Sequence, residues 1–443
     1  MTDVRRTLAA DLPRLVADPS GPGPDPAVRL QGWVHRRREL ASVTFLVLRD
    51  RSGLAQVVVK APGTLAVVAG TPEETPVEVT GSLTANPAAP GGVEVIDPVV
   101  RPLSHAAETP PVELWRPTLN AALPTVLDQA AVAWRHPAQR AAWELAAASL
   151  RGFREALDGL GFTEIQTPKF VAAATESGAN VFEVDYFGRP AYLAQSPQFY
   201  KQQLVGVFER VYEVGPVFRA EPHDTVRHLA EYVSLDVELG FVEDHRDVLR
   251  VLRETLAGMV AGLHAHAGPA VDRLGLTVAS IPEEIPVVHF ADALALVGAP
   301  PEEPDLAPEH ERALGAWARS EHGSDLLAVE GYPLVKRPFY THPWTRGEDP
   351  QSRWSNSFDL LFRGLELVTG GQRLHRAEEY DGAIRSHGED PADYASYLQA
   401  FRHGMPPHGG FAIGLERWVA RLVEAANIRE VTLFPRDRNR LTP

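Results

Sequence analysis

The chain has 443 residues, a formal net charge of −15 and no cysteine. Its length predicts two or three domains, and the lack of cysteine excludes disulfides, thiol nucleophiles and zinc–thiolate sites. The acidic balance argues against a protein that coats nucleic acid nonspecifically, although local basic patches remain compatible with a specific RNA partner.

Membrane and export signals are not evident in the sequence. No apolar run approaches the roughly 18 residues that a membrane helix needs. Residues 1–21 lack the continuous apolar segment of a secretory signal. We therefore expect no membrane association and a cytoplasmic location.

Residues 1–102 are predicted to form a small β-barrel preceded by short helical turns. The turns lie in residues 5–17 and are expected to be interrupted at Pro13. From residue 27 onward, five short β-rich runs alternate with turn residues. This spacing favours an OB-fold barrel, and an SH3-like barrel is the alternative. The triplet Arg36, Arg37 and Arg38 is a local basic patch.

A proline-rich segment, residues 103–138, is predicted to be a hinge between the barrel and a larger domain, residues 139–443. The larger domain opens with a helix that has Leu157 on its apolar face and Gly161 at its end. A strand is expected at residues 162–167.

Two β-rich runs flank a charged loop within residues 211–241. In the second run, apolar and polar residues alternate, which predicts a strand with one buried face. The loop contains Arg219 and Arg227, whose planar guanidinium groups suit phosphate oxygens. A loop of simply solvated charges is the alternative, and the loop alone does not decide between them.

The remaining segments predict further helices and strands. An N-cap at Glu243-Asp244 precedes a long amphipathic helix. Residues 354–375 have strand character, and a Gly-rich strand at residues 409–414 leads into a last helix. Residues 271–350 suggest no particular chemistry. Neither a P-loop nor a Rossmann motif is present.

Three segments, in this order, resemble the signature motifs of class II aminoacyl-tRNA synthetases of the aspartate, asparagine and lysine subgroup. The first is the helix, strand and Pro168. The second is Phe218-Arg219-Ala220-Glu221 with residues 227–229 and 236–238. The third is residues 409–417, which include Arg417. The resemblance covers nearly the whole chain, and the short span between the second and third motifs resembles archaeal-type aspartyl-tRNA synthetases.

The resemblance implies an α+β fold, with an N-terminal OB-fold barrel and a catalytic domain whose mainly antiparallel sheet is flanked by helices. It also implies an ATP site in which Arg219 holds the α-phosphate and Arg417 covers one face of adenine. Tyr232 would stack on the other face. The full set of implied ATP contacts is Arg219, Glu221, Arg227, His228, Tyr232, Glu366 and Arg417.

A magnesium site is implied by the same resemblance. Asp359 and Glu366 match two carboxylates that bind Mg²⁺ bridging the ATP phosphates, and Thr369 replaces a neighbouring serine. Mg²⁺ prefers such hard oxygen ligands. The alternative is a pair of acids on one strand face.

The amino-acid pocket is implied to accept aspartate. Lys201 and Arg373 match the cations that embrace the side-chain carboxylate, while Gln198 and Asp236 match the residues that hold the ammonium group. A buried cation left without a carboxylate would disfavour asparagine. Glu176 matches a substrate contact in a mobile loop, in which Ser177 departs from the usual glycine.

Anticodon contacts are implied in the barrel. Phe45 and Gln56 match residues that stack on and hydrogen-bond to the central base, and Arg37 accompanies them. Phe45 could instead belong to the barrel core. His35 and Pro90 stand where strictly aspartate-specific relatives have Trp and Lys, which resembles the non-discriminating form that also charges asparagine tRNA.

The implied activity is ATP-dependent ligation of L-aspartate to tRNA(Asp), and also to tRNA(Asn), through an aspartyl-adenylate with Mg²⁺. A homodimer and a tRNA-dependent amidotransferase are the implied protein partners. Two alternatives remain at this point. An asparaginyl-tRNA synthetase shares all three motifs, and a catalytically silent RNA-binding relative is disfavoured by Arg219, Asp359, Glu366 and Arg417.

Overall fold

The structure is a computed structural model that describes residues 5–17, 26–172, 180–222, 225–344 and 353–443. The chain divides into two compact units, Met1–Pro137 and Ala138–Pro443. The further division of the first unit into a barrel and a hinge stays a prediction. None of the helices in these ranges combines the length and apolar character that a bilayer crossing requires.

The first unit contains a closed barrel, as predicted. Within the described residues its strands follow the order β1-β2-β3-β5-β4, and the β3–β5 contact is parallel. Alternate side chains such as Val28, Leu30 and Val57 fill the interior. The strands are β1 (Ala27–Glu39), β2 (Thr44–Arg49), β3 (Leu54–Val59), β4 (Pro76–Ala85) and β5 (Val93–Pro102).

Helices of the first unit lie before, within and after the barrel sequence. Pro13 lies in the first turn of α1 and does not interrupt it. The backbone N–H groups of a first turn have no partner within the helix, so proline, which has no N–H, loses no hydrogen bond there. Val112, Leu114, Val126 and Ala133 form a small separate core in the segment expected to be a hinge. The helices are α1 (Leu12–Ala17), α2 (Pro62–Ala69), α3 (Leu123–Asp128) and α4 (Ala130–Ala133).

The second unit is built on a mainly antiparallel sheet, as predicted. Among the described residues its strand order is β12-β13-β14-β15-β16-β11-β10-β6, with parallel pairs at both edges, and β7-β9-β8 form a small separate sheet. The strands are β6 (Thr163–Glu164), β7 (Phe170–Val171), β8 (Glu183–Tyr186), β9 (Arg189–Leu193), β10 (Arg210–Phe218), β11 (Glu231–Gly240), β12 (Val287–His289), β13 (Leu326–Glu330), β14 (Ser357–Phe362), β15 (Glu366–Arg373) and β16 (His408–Gly414).

Helices flank this sheet. The N-cap of α7 is Asp244, whose side chain accepts the Arg246 N–H at 2.7 Å, as the sequence predicted. The helices are α5 (Pro137–Gly159), α6 (Gln198–Phe208), α7 (His245–His266), α8 (Gly268–Leu274), α9 (Phe290–Val297), α10 (Pro308–His322), α11 (Ala377–Ser386), α12 (Ala395–Arg402) and α13 (Leu415–Leu422).

Helices α5 and α7 meet backbone to backbone. A Cβ atom at Gly152 would lie 2.1 Å from the carbonyl oxygen of Gly258, so any side chain there would separate the helices. The strand expected at residues 162–167 is shorter than predicted, because β6 pairs with β10 over two residues.

Strand β11 differs from its prediction. Leu235, Val237 and Leu239 face the core, as expected, but Asp236 and Glu238 on the other face are buried as well. The strand has β16 and β10 as its neighbours in the sheet, and Lys201 of α6 covers the polar face through contacts with both acids, so neither face is left to solvent. Its polar residues are therefore inside the protein.

Candidate active site

A pocket of about 490 Å³ lies in the second unit, against the polar face of β11. The hairpin β10–β11, strands β15 and β16 and the first turns of α6 and α13 surround it. Most of the predicted site residues of this unit line it: Arg219, Glu221, Arg227, His228, Tyr232, Gln198, Lys201, Asp236, Glu366, Thr369, Arg373 and Arg417. Glu176 lies outside the described residues.

Strand register explains this convergence. Asp236 pairs with Ala412, which pairs with Thr369, which pairs with Asp359, so one row of residues crosses four strands. Strand β16 contributes small residues to the rows, and a Cβ at Gly410 would lie 2.1 Å from a carboxylate oxygen of Glu238. The glycine-rich strand therefore leaves room for buried acids beneath the pocket.

At one end of the pocket, two cations and two acids form a buried cluster. Lys201 Nζ lies 3.0 Å from Asp236 Oδ1 and 3.3 Å from Glu238 Oε2. Arg373 Nε lies 3.1 Å from Glu238 Oε1, and Ser234 Oγ donates to Asp236 Oδ2 at 2.6 Å. Lys201 is 1% exposed. The four formal charges sum to zero, which makes this burial tolerable.

Glu238 is fully buried and does not line the pocket. Although burial alone would raise its pKa, Arg373 and Lys201 hold the pKa of Glu238 below its usual range. Glu238 therefore stays ionised and permanently neutralises one of the two cations. Asp236 lines the pocket and can exchange Lys201 for another partner.

The other end of the pocket contains the charges of the hairpin loop. The Arg219 guanidinium lies 5.7 Å from the centre of the Tyr232 ring and 4.0 Å from Glu221. Arg227 pairs with Glu311 of α10 at 3.5 Å, and His228 Nδ1 lies 2.6 Å from Thr225 Oγ1. Several cationic groups thus surround one space that could hold a polyphosphate.

Beside these cations lie the residues predicted to hold a metal. Asp359 is buried, and its Oδ2 accepts from Arg337 at 2.9 Å, while its Oδ1 has no hydrogen-bond partner among the described residues. Partial burial and the charge of Asp359 raise the pKa of Glu366. Thr369 Oγ1 and Arg417 Nη1 each lie 3.4 Å from Glu366 Oε1. An unsatisfied buried oxygen beside a second carboxyl group fits a hard cation.

Comparison with known proteins decides the family. Residues 123–438 match the tRNA synthetases class II (D, K and N), and residues 28–103 match an OB-fold nucleic acid binding domain. The chain belongs to the class II tRNA synthetases. The OB match also excludes the SH3-like alternative for the barrel.

Relatives of this synthetase include two that are named aspartate–tRNA(Asp/Asn) ligase. The Deinococcus radiodurans protein is 45% identical and matches over 99% of each chain. The Thermus thermophilus protein is 48% identical over 94% of this chain and 96% of its own. The asparaginyl-tRNA synthetase of Pyrococcus horikoshii with asparaginyl-adenylate superposes with a TM-score of 0.89 at 29% identity, covering 99% of this chain and all of that one.

Some pocket residues of the synthetase were not predicted from its sequence. Lys336 and Arg337 line the pocket but come from residues 271–350, to which no chemistry was assigned. The adjacent basic pair before Pro338 is a weak signal that could have indicated them. Glu416 also lines the pocket. Its position beside Arg417 in the third motif is a stronger signal, which could have indicated it.

The barrel of the synthetase places Phe45 and Gln56 on its outer face. Phe45 is half-buried and is not part of the barrel core, which removes the core alternative. It pairs with Val58 in the neighbouring strand, and Gln56 lies two positions from Val58 on the same face. Gln56 donates to Glu94 at 2.9 Å. Pro90 is exposed in a short turn before β5.

Two other predicted anticodon residues, His35 and Arg37, form hydrogen bonds to other residues of the first unit. His35 is 5% exposed, lies at a β-bulge and faces Arg49 at 3.0 Å. Burial and the Arg49 charge lower the pKa of His35 to about 4. Arg37 donates to the carbonyl oxygens of Val68, Ala69 and Thr71 at the end of α2, at 2.8 to 3.1 Å. Direct contact of His35 or Arg37 with RNA stays a prediction.

Proposed function

We propose that this synthetase ligates L-aspartate to tRNA(Asp) in two ATP-dependent steps, through an aspartyl-adenylate. The observation that supports aspartate is the pair of buried cations, Lys201 and Arg373, at one end of the pocket. The names of the Deinococcus radiodurans and Thermus thermophilus relatives agree with this substrate.

Charge counting favours aspartate over asparagine. When the substrate ammonium takes Asp236, Glu238 still neutralises one cation, and one positive charge remains without a partner. The side-chain carboxylate of aspartate supplies the missing negative charge. Asparagine cannot supply it, and a buried cation without a partner costs several kcal/mol.

The first step joins the α-carboxylate of aspartate to ATP. A carboxylate oxygen attacks the α-phosphorus, the bond to the bridging oxygen breaks, and pyrophosphate leaves with that electron pair. Arg219 would stabilise charge on the α-phosphoryl oxygens, with Arg227 and His228 at the outer phosphates. Tyr232 and Arg417 would cover the two faces of adenine, with Glu221 at its amino group.

The second step transfers the aspartyl group to the terminal ribose hydroxyl of tRNA, which releases AMP. No protein nucleophile is needed in either step, so the residues of the pocket act by positioning and by preorganised charge. Glu176, in residues 173–179, would add a contact to the bound amino acid.

Mg²⁺ would be held by Asp359 and Glu366, with the Thr369 hydroxyl beside them. The unpartnered Oδ1 of Asp359 and the raised pKa of Glu366 support a cation at this place. When bound, the ion would neutralise phosphate charge of the nucleotide. Arg337 would keep the other Asp359 oxygen occupied and so fix the direction of the carboxylate.

The barrel would bind the anticodon, with Phe45 stacking on the central base. We propose that tRNA(Asn) is also charged with aspartate, as the names of the relatives state for those proteins. His35 would act indirectly, since its ring faces Arg49. A tRNA-dependent amidotransferase would then convert the aspartyl group. We further propose a homodimer that forms through α5 and β6, the elements of the first motif.

Aspartate-, asparagine- and lysine-dependent ATP–pyrophosphate exchange tests the amino acid. We expect exchange with aspartate alone. Exchange with asparagine would instead support an asparaginyl-tRNA synthetase, and no exchange with any of them would support the silent relative. Aspartylation of purified tRNA(Asp) and tRNA(Asn) then tests the anticodon proposal, and light scattering tests the dimer.

A further inference from the structure

The amide of Gln198 lines the pocket at the first position of α6. Under the proposed function it faces the substrate ammonium, which has three N–H donors and no acceptor. The amide must therefore present its carbonyl oxygen to the pocket. Rotated by half a turn, it would present its NH₂ group and oppose binding, so the direction of this amide decides whether it helps.

The direction can be worked out from a backbone carbonyl that lies behind the pocket. His408 Nδ1 is 2.9 Å from the carbonyl oxygen of Pro406. A carbonyl only accepts hydrogen bonds, so Nδ1 carries the proton, and the neutral ring leaves Nε2 as an acceptor. Burial lowers the pKa of His408 to about 4, which keeps the ring neutral near pH 7. Glu238, Arg373 and His375 are the charged or titratable groups that act on this pKa.

His408 contacts Gln202, which is completely buried. Its amide nitrogen lies 3.0 Å from His408 Nε2, and this assignment is required because Nε2 accepts. The carbonyl oxygen of Gln202 then faces away from His408. It accepts from the Tyr397 hydroxyl at 3.0 Å and from the amide nitrogen of Gln198 at 3.1 Å.

We propose that Gln202 is a positioning residue for the substrate ammonium, because it holds the NH₂ group of Gln198 and leaves the Gln198 carbonyl oxygen for the ligand. Gln202 does not line the pocket, so it acts through Gln198. The Gln198 oxygen has no hydrogen-bond partner among the residues that the structure describes, which leaves it available. This inference rests on the proposed function.

Replacing Gln202 by leucine tests the proposal, since Gln202→Leu keeps the size but cannot bond to Gln198. We expect the KM for aspartate in ATP–pyrophosphate exchange to rise about 10- to 100-fold, as expected for a lost hydrogen bond to a charged group. The KM for ATP and kcat should stay within about twofold. Gln203→Leu is the matched control, because the Gln203 amide donates to the Ser396 carbonyl oxygen at 3.0 Å and does not touch Gln198.

Succinate separates a lost ammonium contact from general damage to the pocket. It has the two carboxylates of aspartate but no ammonium, so Gln202→Leu should leave its inhibition constant unchanged. In Gln202→Glu a protonated carboxyl group would donate to His408 Nε2 in place of the amide and keep its other oxygen as the acceptor for Gln198, so the KM for aspartate should stay within about threefold. Should Gln202→Leu fail to fold, Gln202→Glu and Tyr397→Phe are measured in its place, and Tyr397→Phe should raise this KM by a smaller factor.

The proposal is overturned if Gln202→Leu leaves the KM for aspartate unchanged, or if it weakens succinate as much as aspartate. With the replacement pair, equal and unchanged KM values for aspartate would also overturn it. An unmodified enzyme without aspartate-dependent exchange would instead refute the proposed function. The two failures are thus distinguishable in the same assay.

Discussion

Both carboxylate oxygens of Glu416 accept the backbone N–H of Val233, each at 3.2 Å. Val233 follows Tyr232 on β11, and Glu416 precedes Arg417 on α13. One side chain therefore connects the two segments that would cover the opposite faces of adenine. Its contact fixes the separation of strand and helix at the place where a flat ring would enter.

Removing this connection should impair ATP binding more than aspartate binding. For Glu416→Ala we expect the KM for ATP in pyrophosphate exchange to rise about tenfold, because no side chain then connects β11 to α13 on the two sides of the proposed adenine site. Glu416→Gln keeps an acceptor for Val233 and is the control that should stay near the unmodified value. An equal rise in the KM for aspartate would argue against an effect confined to the proposed adenine site.

Glu416 should also make the stability of the protein depend on pH. Burial raises the pKa of Glu416 to about 7, above its ordinary value near 4.5. The folded state therefore binds the proton more tightly than the unfolded chain, so the contribution is complete at low pH and is lost as pH rises through 7. Relative to Glu416→Gln, the unmodified protein should lose up to about 3 kcal/mol between pH 5 and 8. Urea unfolding of both proteins at several pH values measures this difference. A difference in unfolding free energy that stays constant with pH would contradict the prediction.

Lys201 should be needed for both stability and activity. Lys201→Met leaves Asp236 and Glu238 buried with Arg373 as their remaining cation, and we expect a loss of about 3–5 kcal/mol in unfolding free energy. Adding Glu238→Gln restores the charge balance and should recover part of that stability in thermal unfolding. Aspartate-dependent exchange should stay more than 100-fold reduced in both variants. Recovered exchange in the double variant would contradict the proposed role of Lys201.

Arg219 should act on the transition state of adenylate formation. Arg219→Ala is expected to reduce aspartate-dependent ATP–pyrophosphate exchange by at least about 1000-fold, because charge on the α-phosphoryl group loses its nearest proposed donor. Arg219 is more than one-third exposed, so the thermal unfolding temperature should change little. Near-normal exchange would refute the assignment of this arginine.

The three arginines at the end of β1 should differ in their effects on tRNA binding. Arg36 stacks on Trp115 at 3.7 Å and Arg38 lies 6.0 Å from Phe45, and neither forms an ion pair within the described residues. Arg36→Gln and Arg38→Gln should each reduce the slope of log affinity against log salt by about one. Arg37→Gln should keep that slope and lower the stability of the barrel, since Arg37 binds the end of α2. Equal slopes for all three variants would contradict this division.

Local sequence patterns predicted the elements that place the pocket. Alternation in β11, the N-cap Asp244 and the glycines of β16 are short-range signals, and each correctly locates its element, although the polar face of β11 is buried instead of exposed. The register between distant strands then brings Asp236, Thr369 and Asp359 into one row, which follows from the fold once the motifs are recognised.

Other features depend on contacts that a single sequence does not contain. The burial of Glu238 could not be predicted, because an acid on a strand normally faces solvent and its partners Lys201 and Arg373 are distant in sequence. In the sequence, Arg37 cannot be distinguished from Arg36 and Arg38, because its contact with the end of α2 forms only in the folded chain. Lys336 and Arg337 lie in a segment without clear periodicity, and only the folded chain brings them to the pocket.

Strand β11 presents apolar side chains to the core on one face, and on the other it presents Asp236 to the pocket. Laboratory evolution of a new amino-acid preference would therefore act on a strand that the protein also needs in order to fold. Libraries that randomise Asp236 should accumulate unfolded members sooner than libraries at the rim of the pocket. A stabilised parent is consequently the better starting point for such work.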